Sequence, residues 1–371
     1  MAEPAPLHRG LPDEIAIWEI LVRLPPQPLL RCRAVCRAWR RRTSTPAFLL
    51  AHHRRQPSLP LLSGYNVSGD GISLEVIPFD HRAAAVDQLQ PVARLGYTFA
   101  LKASCDGLLV IGSRYLNLGY SICNPATRQY ALLDQLDRFA LLGMYRHNST
   151  GEYRLLLEKS SSCRSHGDQD GSYVFTLGSG QPPRRIRCPD AAEYILQESS
   201  SVLVHGNLHW HTERHERASN MIKVFNTTTE SFWQMRAPAV PGKAYLFEMD
   251  GTLGVSSFND AVTTIDIWMM QDYESKAWAF KYQVELPVAD LTVQFGNFHG
   301  RWSVVSSLDG DVLVLLEFSH GLLQIDMDGK LVTSFHRVLQ CTDQPRLKQT
   351  LVPHAFFPAL QGYDVNGSPF V

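Results

Sequence analysis

The spacing of apolar positions changes once along the chain. From residue 12 to about 53 it is helical. Ile17, Leu21 and Leu24 fall at i, i+4 and i+7, and Ile15, Trp18 and Val22 form a second stripe beside them. Pro12, Asp13 and Glu14 suit a helix start, with acids near the positive end of the dipole, and Pro25-Pro26 stops the helix. A short second helix is predicted with Pro28 in its first turn, and a third over Ala34–Arg42, where Val35 and Trp39 stand four apart. Thr45-Pro46 reads as the N-cap and first position of a fourth helix, PAFLLAHH. The first helix is apolar over too wide an arc for a surface helix. A module of about forty residues cannot bury two stripes by itself. The body of the chain or another protein must cover the remainder.

From about residue 60 the texture becomes short strands of Val, Ile, Leu and aromatic residues, cut by Gly, Asp and Asn. Turns at Asp80, Asn124 (in SICNPATRQY), Gly178, Asn226 (in VFNTTTESFW), Asp272 and Asp326 are spaced 44, 54, 48, 46 and 54 residues apart. A second series, Gly107, Gly151, Gly206, Gly251 and Gly310, is spaced 44, 55, 45 and 59. Four short strands recurring at about 45–55 residues mark a β-propeller. Six turns predict about six blades. The fold expected is a small all-α N-terminal module of three helices plus a following helix, joined to a large all-β propeller.

Charge sharpens this division. The 371 residues carry a net charge of -1, made up of -3 over residues 1–19, +9 over 20–69 and -7 over 70–371. No Asp or Glu lies between Ile20 and Gly69, and six of the twelve residues in RCRAVCRAWRRR (31–42) are arginine. The preferred reading is the solvated face of the third helix, able to meet an acidic partner surface. A nuclear address at Arg40-Arg41-Arg42 ranks second, and nucleic-acid binding is not expected. The first lysine is Lys102. The seven cysteines are odd in number and form no CxxC pair. MAEPAPLHRG lacks the apolar core of a signal peptide, and no run of about 18 apolar residues could span a bilayer. Reduced thiols in the cytoplasm and/or nucleus are expected, with no membrane association.

The order and spacing of Leu11-Pro12-Asp13-Glu14-Ile15, Ile20-Leu21, Leu24-Pro25, Leu29-Leu30-Arg31-Cys32-Arg33, Val35-Cys36, Trp39 and Pro46-Ala47-Phe48 resemble an F-box. This helical motif docks onto a Skp-type adaptor of cullin-based ubiquitin ligases. Gln27-Pro28 departs from the pattern, where a polar residue is commoner before the Leu-Leu pair. The resemblance implies that Leu11, Pro12, Ile15, Ile20, Leu21, Leu24, Pro25, Leu29, Leu30, Val35, Cys36 and Trp39 face the adaptor or form the module core, without separating the two roles. Cys32 and Cys36 lack the further ligands a zinc site needs and read as small buried residues. SCDGLLV, NPATRQY, VHGNLHWHT, TIDIWMMQDY followed by AWAFKY, and LVPHAFFPALQGYDVNG resemble the F-box-associated domain of plant F-box proteins, a kelch-like all-β region.

The resemblance implies an F-box module over 9–50 and a substrate-recognition propeller over 58–371. It implies a non-catalytic adaptor without cofactors, which presents an unidentified target to a ligase by proximity. Its implied partners are a Skp-type adaptor and, through it, cullin. Two alternatives stand beside it: a β-propeller hydrolase with an incidental helical N-terminus, and an F-box protein acting outside a ligase.

Little in the body suggests chemistry. In HWHTERHE (209–216), His209 and His211 would share a strand face with Glu213 nearby, which is metal-ligand spacing without a confirming partner set. DQDG (168–171) resembles a fragment of a calcium loop but lacks the closing ligands. Asp266, Asp272, Asp290 and Asp309 would matter if they met at a propeller mouth; turn and strand-end roles are expected instead. Trp210, Trp233, Trp268, Trp278 and Trp302 read mostly as packing within blades.

Overall fold

The computed structural model describes residues 12–68, 71–80, 89–113, 119–159, 171–187, 201–212, 220–240, 244–259, 263–306, 312–337 and 339–371. Leu11, Glu213, Asp309 and the acidic part of DQDG lie outside the described residues.

The N-terminal helices follow the prolines. The first winds without a break but not uniformly: α1 (Asp13–Ile15) runs into a π-turn over Ala16–Ile20 and a 3-10 turn over Leu21–Arg23. The wide turn holds Ile17, Leu21 and Val22 inward and leaves Ile15, Trp18 and Ile20 outside. α2 (Pro26–Arg33) starts at Pro26, since the first position of a helix needs no amide hydrogen, and carries Pro28 in its first turn as expected. The third helix differs from expectation: α3 (Arg37–Thr43) begins three residues after Ala34. Ala34 and Val35 close α2 with their N–H groups on the Arg31 and Cys32 carbonyls respectively. Cys36 is extended, and its sulfur accepts the Trp39 N–H at 3.4 Å, acting as the N-cap. Val35 therefore lies in the bend and shares no helix with Trp39. α4 (Pro46–Arg55) starts as expected, with Thr45 Oγ1 accepting the Phe48 N–H at 3.4 Å.

Six antiparallel blades follow among the described residues, five of four strands and the second with a fifth strand added at its outer edge. The first is built from β1 (Leu59–Ser68), β2 (Gly71–Pro78) and β3 (Ala93–Gly96), completed from the far end of the chain by Leu339–Leu347. The others run from β4 (Phe99–Cys105) to β7 (Gln129–Leu132), β8 (Phe139–Arg146) to β11 (Arg184–Ile186), β12 (Val202–Val204) to β15 (Ser231–Arg236), β16 (Ala244–Met249) to β19 (Ala277–Glu285), and β20 (Phe298–Ser306) to β23 (Leu331–Phe335). The late strand, β24 (Leu339–Leu347), is innermost in its blade and pairs with β1, which closes the ring. Three indoles tie neighbouring blades together. Trp210 Nε1 donates to the Leu142 carbonyl at 3.1 Å, Trp278 Nε1 to the Arg236 carbonyl at 3.0 Å, and Trp302 Nε1 to Ser256 Oγ at 3.1 Å.

The turn positions of both series that lie among the described residues fall where a propeller needs them, Gly310 lying outside them. Gly107, Gly151, Gly206 and Gly251 occupy hairpins between first and second strands, with φ between 70° and 87°. Asn124, Asn226, Asp272 and Asp326 sit between third and fourth strands, their side-chain oxygens accepting N–H bonds of the turn, for example Asn226 Oδ1 from Thr229 at 2.8 Å. In an antiparallel blade these two hairpins leave the same side. That side is the turn face; connections between second and third strands, and from blade to blade, lie on the opposite, crossing face.

Candidate functional site

The helical module sits on the turn face, and the chain's own C-terminal segment joins the two. After β24 the segment crosses this face as a strap. Asn124 Nδ2 donates to the Thr350 carbonyl at 3.2 Å, and Lys348 Nζ reaches the Arg54 carbonyl of α4 at 3.4 Å. The contact is close enough to require glycine in the turns beneath. A Cβ on Gly107 would lie 2.7 Å from the Lys348 carbonyl oxygen, and one on Gly178 would lie 2.5 Å from Phe356 Cβ. Phe357 is buried with Leu108, Leu155 and Phe175 between the second and third blades. Beyond it, β25 (Asp364–Val365) pairs with β7, and Phe370 bridges Leu95 of β3. The outer edges of the first two blades are thereby covered.

The strap supplies the missing piece of the helical core. Leu351 is buried with Ile17, Leu21, Val22, Leu29, Phe48 and Leu49, and Val352, Leu24, Cys32 and Trp39 pack around them. Two polar side chains fasten the module from within. His52 Nε2 and Gln56 Nε2 both meet the Leu24 carbonyl, at 2.8 and 3.1 Å. Because a carbonyl only accepts, the His52 hydrogen must be on Nε2. Burial lowers the His52 pKa and favours the neutral ring.

The structure therefore divides the residues that the sequence left together. Leu21 and Leu29 are buried, and Leu24 and Trp39 are half-buried, so these four belong to the module core. Pro12, Ile15, Ile20, Pro25, Leu30, Val35 and Cys36 face solvent; Cys36 is therefore not the buried residue expected, because its extended capping position lies outside both helices, and Cys32 is only half-buried. Ile15 (43% exposed), Ile20 (45%), Leu30 (39%) and Val35 (69%) are large apolar side chains left outside a module that has a complete core. Trp18, 40% exposed over Phe48 at a ring separation of 5.6 Å, belongs with them. Motif spacing did not single it out, although its place on the Ile15 stripe was a usable signal.

The arginines flank this rim. Arg31, Arg37, Arg40 and Arg41 are exposed, whereas Arg33 turns inward to bond Thr43 Oγ1 at 3.1 Å and the Thr43 carbonyl.

The candidate chemistry of the body dissolves into structural roles. His209 is fully buried, with Nδ1 against the Val202 carbonyl at 3.0 Å and Nε2 against Tyr273 Oη at 2.7 Å; burial lowers its pKa to about 4. Asp272 caps its hairpin, Asp266 accepts from Gln283 at 2.8 Å, and Asp290 lies in the first turn of a helix over Val288–Phe295, so these three do not converge. Among the described residues no three His, Cys, Asp or Glu side chains are grouped to hold a metal. Trp210 and Trp302 are buried as expected; Trp233, Trp268 and Trp278 are half-buried.

A four-helix module strapped to one face of a six-bladed propeller, with an uncovered apolar rim, defines a two-part F-box and propeller architecture. Comparison with known proteins agrees. Residues 9–55 match the F-box-like family, and residues 82–303 match the F-box associated beta propeller domain. The chain belongs to this family and is a plant F-box protein with an F-box-associated propeller. It is 27% identical to the F-box protein At5g49610 of Arabidopsis thaliana, covering 74% of this chain and 79% of that protein. It is 25% identical to Protein SUPPRESSOR OF NIM1 1 of the same plant, covering 58% and 61%. Among solved structures, TolB from Acinetobacter baumannii matches at a TM-score of 0.42 and 11% identity, covering 80% of this chain and 72% of that one. Nothing about function transfers at that level.

Proposed function

We propose that this protein is the substrate-recognition subunit of a Skp–cullin–F-box ubiquitin ligase, with residues 9–50 as the docking module and 58–371 as the recognition body. The observation that carries the reading is the apolar rim of Ile15, Trp18, Ile20, Leu30 and Val35, which stays exposed although the strap has completed the core beneath it. The rim and Pro12 meet the Skp-type adaptor, Leu11 joins them from outside the described residues, and cullin is recruited through the adaptor. The strap occupies the turn face, so the target is taken on the crossing face. The strand ends at Lys159, Ser172, Ile186 and Val202 open onto that face. The protein contributes no reacting group. It raises the local concentration of target lysines near a charged conjugating enzyme. It works in the cytoplasm and/or the nucleus.

The test is co-expression of the full chain with a Skp-type adaptor and cullin. Stoichiometric capture by the wild type, lost in an Ile15→Glu, Ile20→Glu variant with an unchanged circular dichroism spectrum, supports the reading. Absence of capture by folded wild-type protein refutes it.

A further inference from the structure

A cavity of about 210 Å³ opens in the central channel toward the turn face, between the inner strands of the first five blades. Its walls differ in chemistry. Met144, Val202 and Leu208 form an apolar side, while Lys102, Arg346 and Lys348 supply positive charge. The two acids present are already engaged. Glu248 Oε1 accepts the Gly251 N–H at 2.7 Å and Oε2 faces Arg346 Nε at 3.2 Å; Asp106 Oδ2 accepts the Tyr153 hydroxyl at 3.2 Å. Arg346 is thus paired with Glu248, and Asp106, bonded only by a neutral hydroxyl, keeps its charge, so Lys102 and Lys348 together leave one positive charge in excess. Lys348 bonds only a carbonyl, that of Arg54, and Lys102 has no acidic partner among the described residues. Lys102 stands at a bulge, where pairing with the next strand slips between Leu101 and Ala103. Bulges re-aim side chains.

Surplus positive charge beside an apolar wall favours a ligand with both characters. We infer that this cavity binds a small organic carboxylate, its charge on Lys102 and Lys348 and its apolar body against Met144, Val202 and Leu208. The volume is below the several hundred Å³ of drug-sized sites, so the ligand is metabolite-sized. Ser58, in the junction between α4 and β1, also lines the cavity. Together with the bond from Lys348 to α4, this places the ligand where helical module and propeller meet, so occupancy braces the joint. The inference stands independently of adaptor docking.

The test titrates the full chain with hexanoate, 1-hexanol and inorganic phosphate by calorimetry and ligand-observed NMR. Saturable hexanoate binding is expected, stronger than that of the alcohol or of phosphate. It should weaken by about tenfold or more in Lys102→Met and in Lys348→Met. It should be unchanged in Lys281→Met, an exposed lysine on β19 remote from the cavity. Lys102 is solvent-accessible, so its replacement does not disturb the core. No saturable hexanoate binding, equal binding of hexanol or phosphate, or wild-type affinity in Lys102→Met would each overturn the inference.

Discussion

Replacing Leu351 by alanine should unfold the helical module while leaving the propeller intact. Leu351 is 5% exposed and buried among six apolar side chains of the F-box helices, yet it belongs to the strap. Truncating a buried leucine costs about 2–5 kcal/mol. A module of about forty residues has a stability of roughly 2–6 kcal/mol. The loss is therefore comparable to everything that holds the helices in place. Hydrogen exchange with mass spectrometry reads this directly. With a loss of about 3 kcal/mol, amides of α2 and α4 should exchange about a hundredfold faster. Amides of strands such as β14 (Met221–Asn226), far from the strap, should keep their protection. Leu29→Ala, a fully buried residue of the same cluster, serves as the positive control. If Leu29→Ala speeds exchange in the helices and Leu351→Ala does not, the strap is not part of the F-box core. If strands throughout the propeller lose protection as well, the two units unfold together and the local picture is wrong.

Three further expectations follow from the same geometry. Leu30→Glu should abolish adaptor capture while shifting the melting temperature little, since the residue is 39% exposed, and a large drop in melting temperature would contradict its placement on the rim. Trp210→Phe deletes the bond to the Leu142 carbonyl between the third and fourth blades and leaves a buried acceptor unpaired; urea unfolding should show a loss of about 1–3 kcal/mol, and no loss would deny the indole its tying role. Burial lowers the pKa values of both His209 and His354 to about 4. The unfolded chain therefore takes up protons below about pH 6.5 that the fold refuses, so stability should fall as pH drops from about 6.5 to 4, by up to about 1.4 kcal/mol per pH unit for each ring, and level off below. A urea midpoint that is flat across that interval, or equally steep in His209→Gln, would count against this.

Much of the architecture was legible because propellers write their period into turn residues. Asn124 and Asn226 are needed for side-chain bonds to hairpin amides, and Gly107 and Gly206 for positive φ, so each blade leaves the same two marks. Thr45-Pro46 was legible for the same reason: a cap is a local interaction. The start of α3 was not, because residues 34 to 36 have acceptable helix propensity, and only the turn closing α2 draws Cys36 into an extended cap. The excess apolar arc of the first helix was visible, but not what covers it. Leu351 meets Leu29 only through tertiary contact, and no local pattern encodes so distant a pairing. Nor could spacing separate Leu21 from Ile20. The π-turn between residues 16 and 20 decides which side chain points inward.

The order of synthesis gives the strap a second meaning. The helices leave the ribosome first, and at cellular elongation rates the strap follows on the order of tens of seconds later. Throughout that interval Ile17, Leu21, Val22 and Phe48 lack the side chain that closes their cluster. A chain broken off anywhere in the propeller would carry every residue of the rim but no finished module to hold them. On the docking role proposed above, competence to dock would be withheld until translation has passed Leu351, by which point all six blades have been made. The last segment would then act as a quality check on the first, and adaptor capture at the wild-type level by a chain ending before Leu351 would refute this.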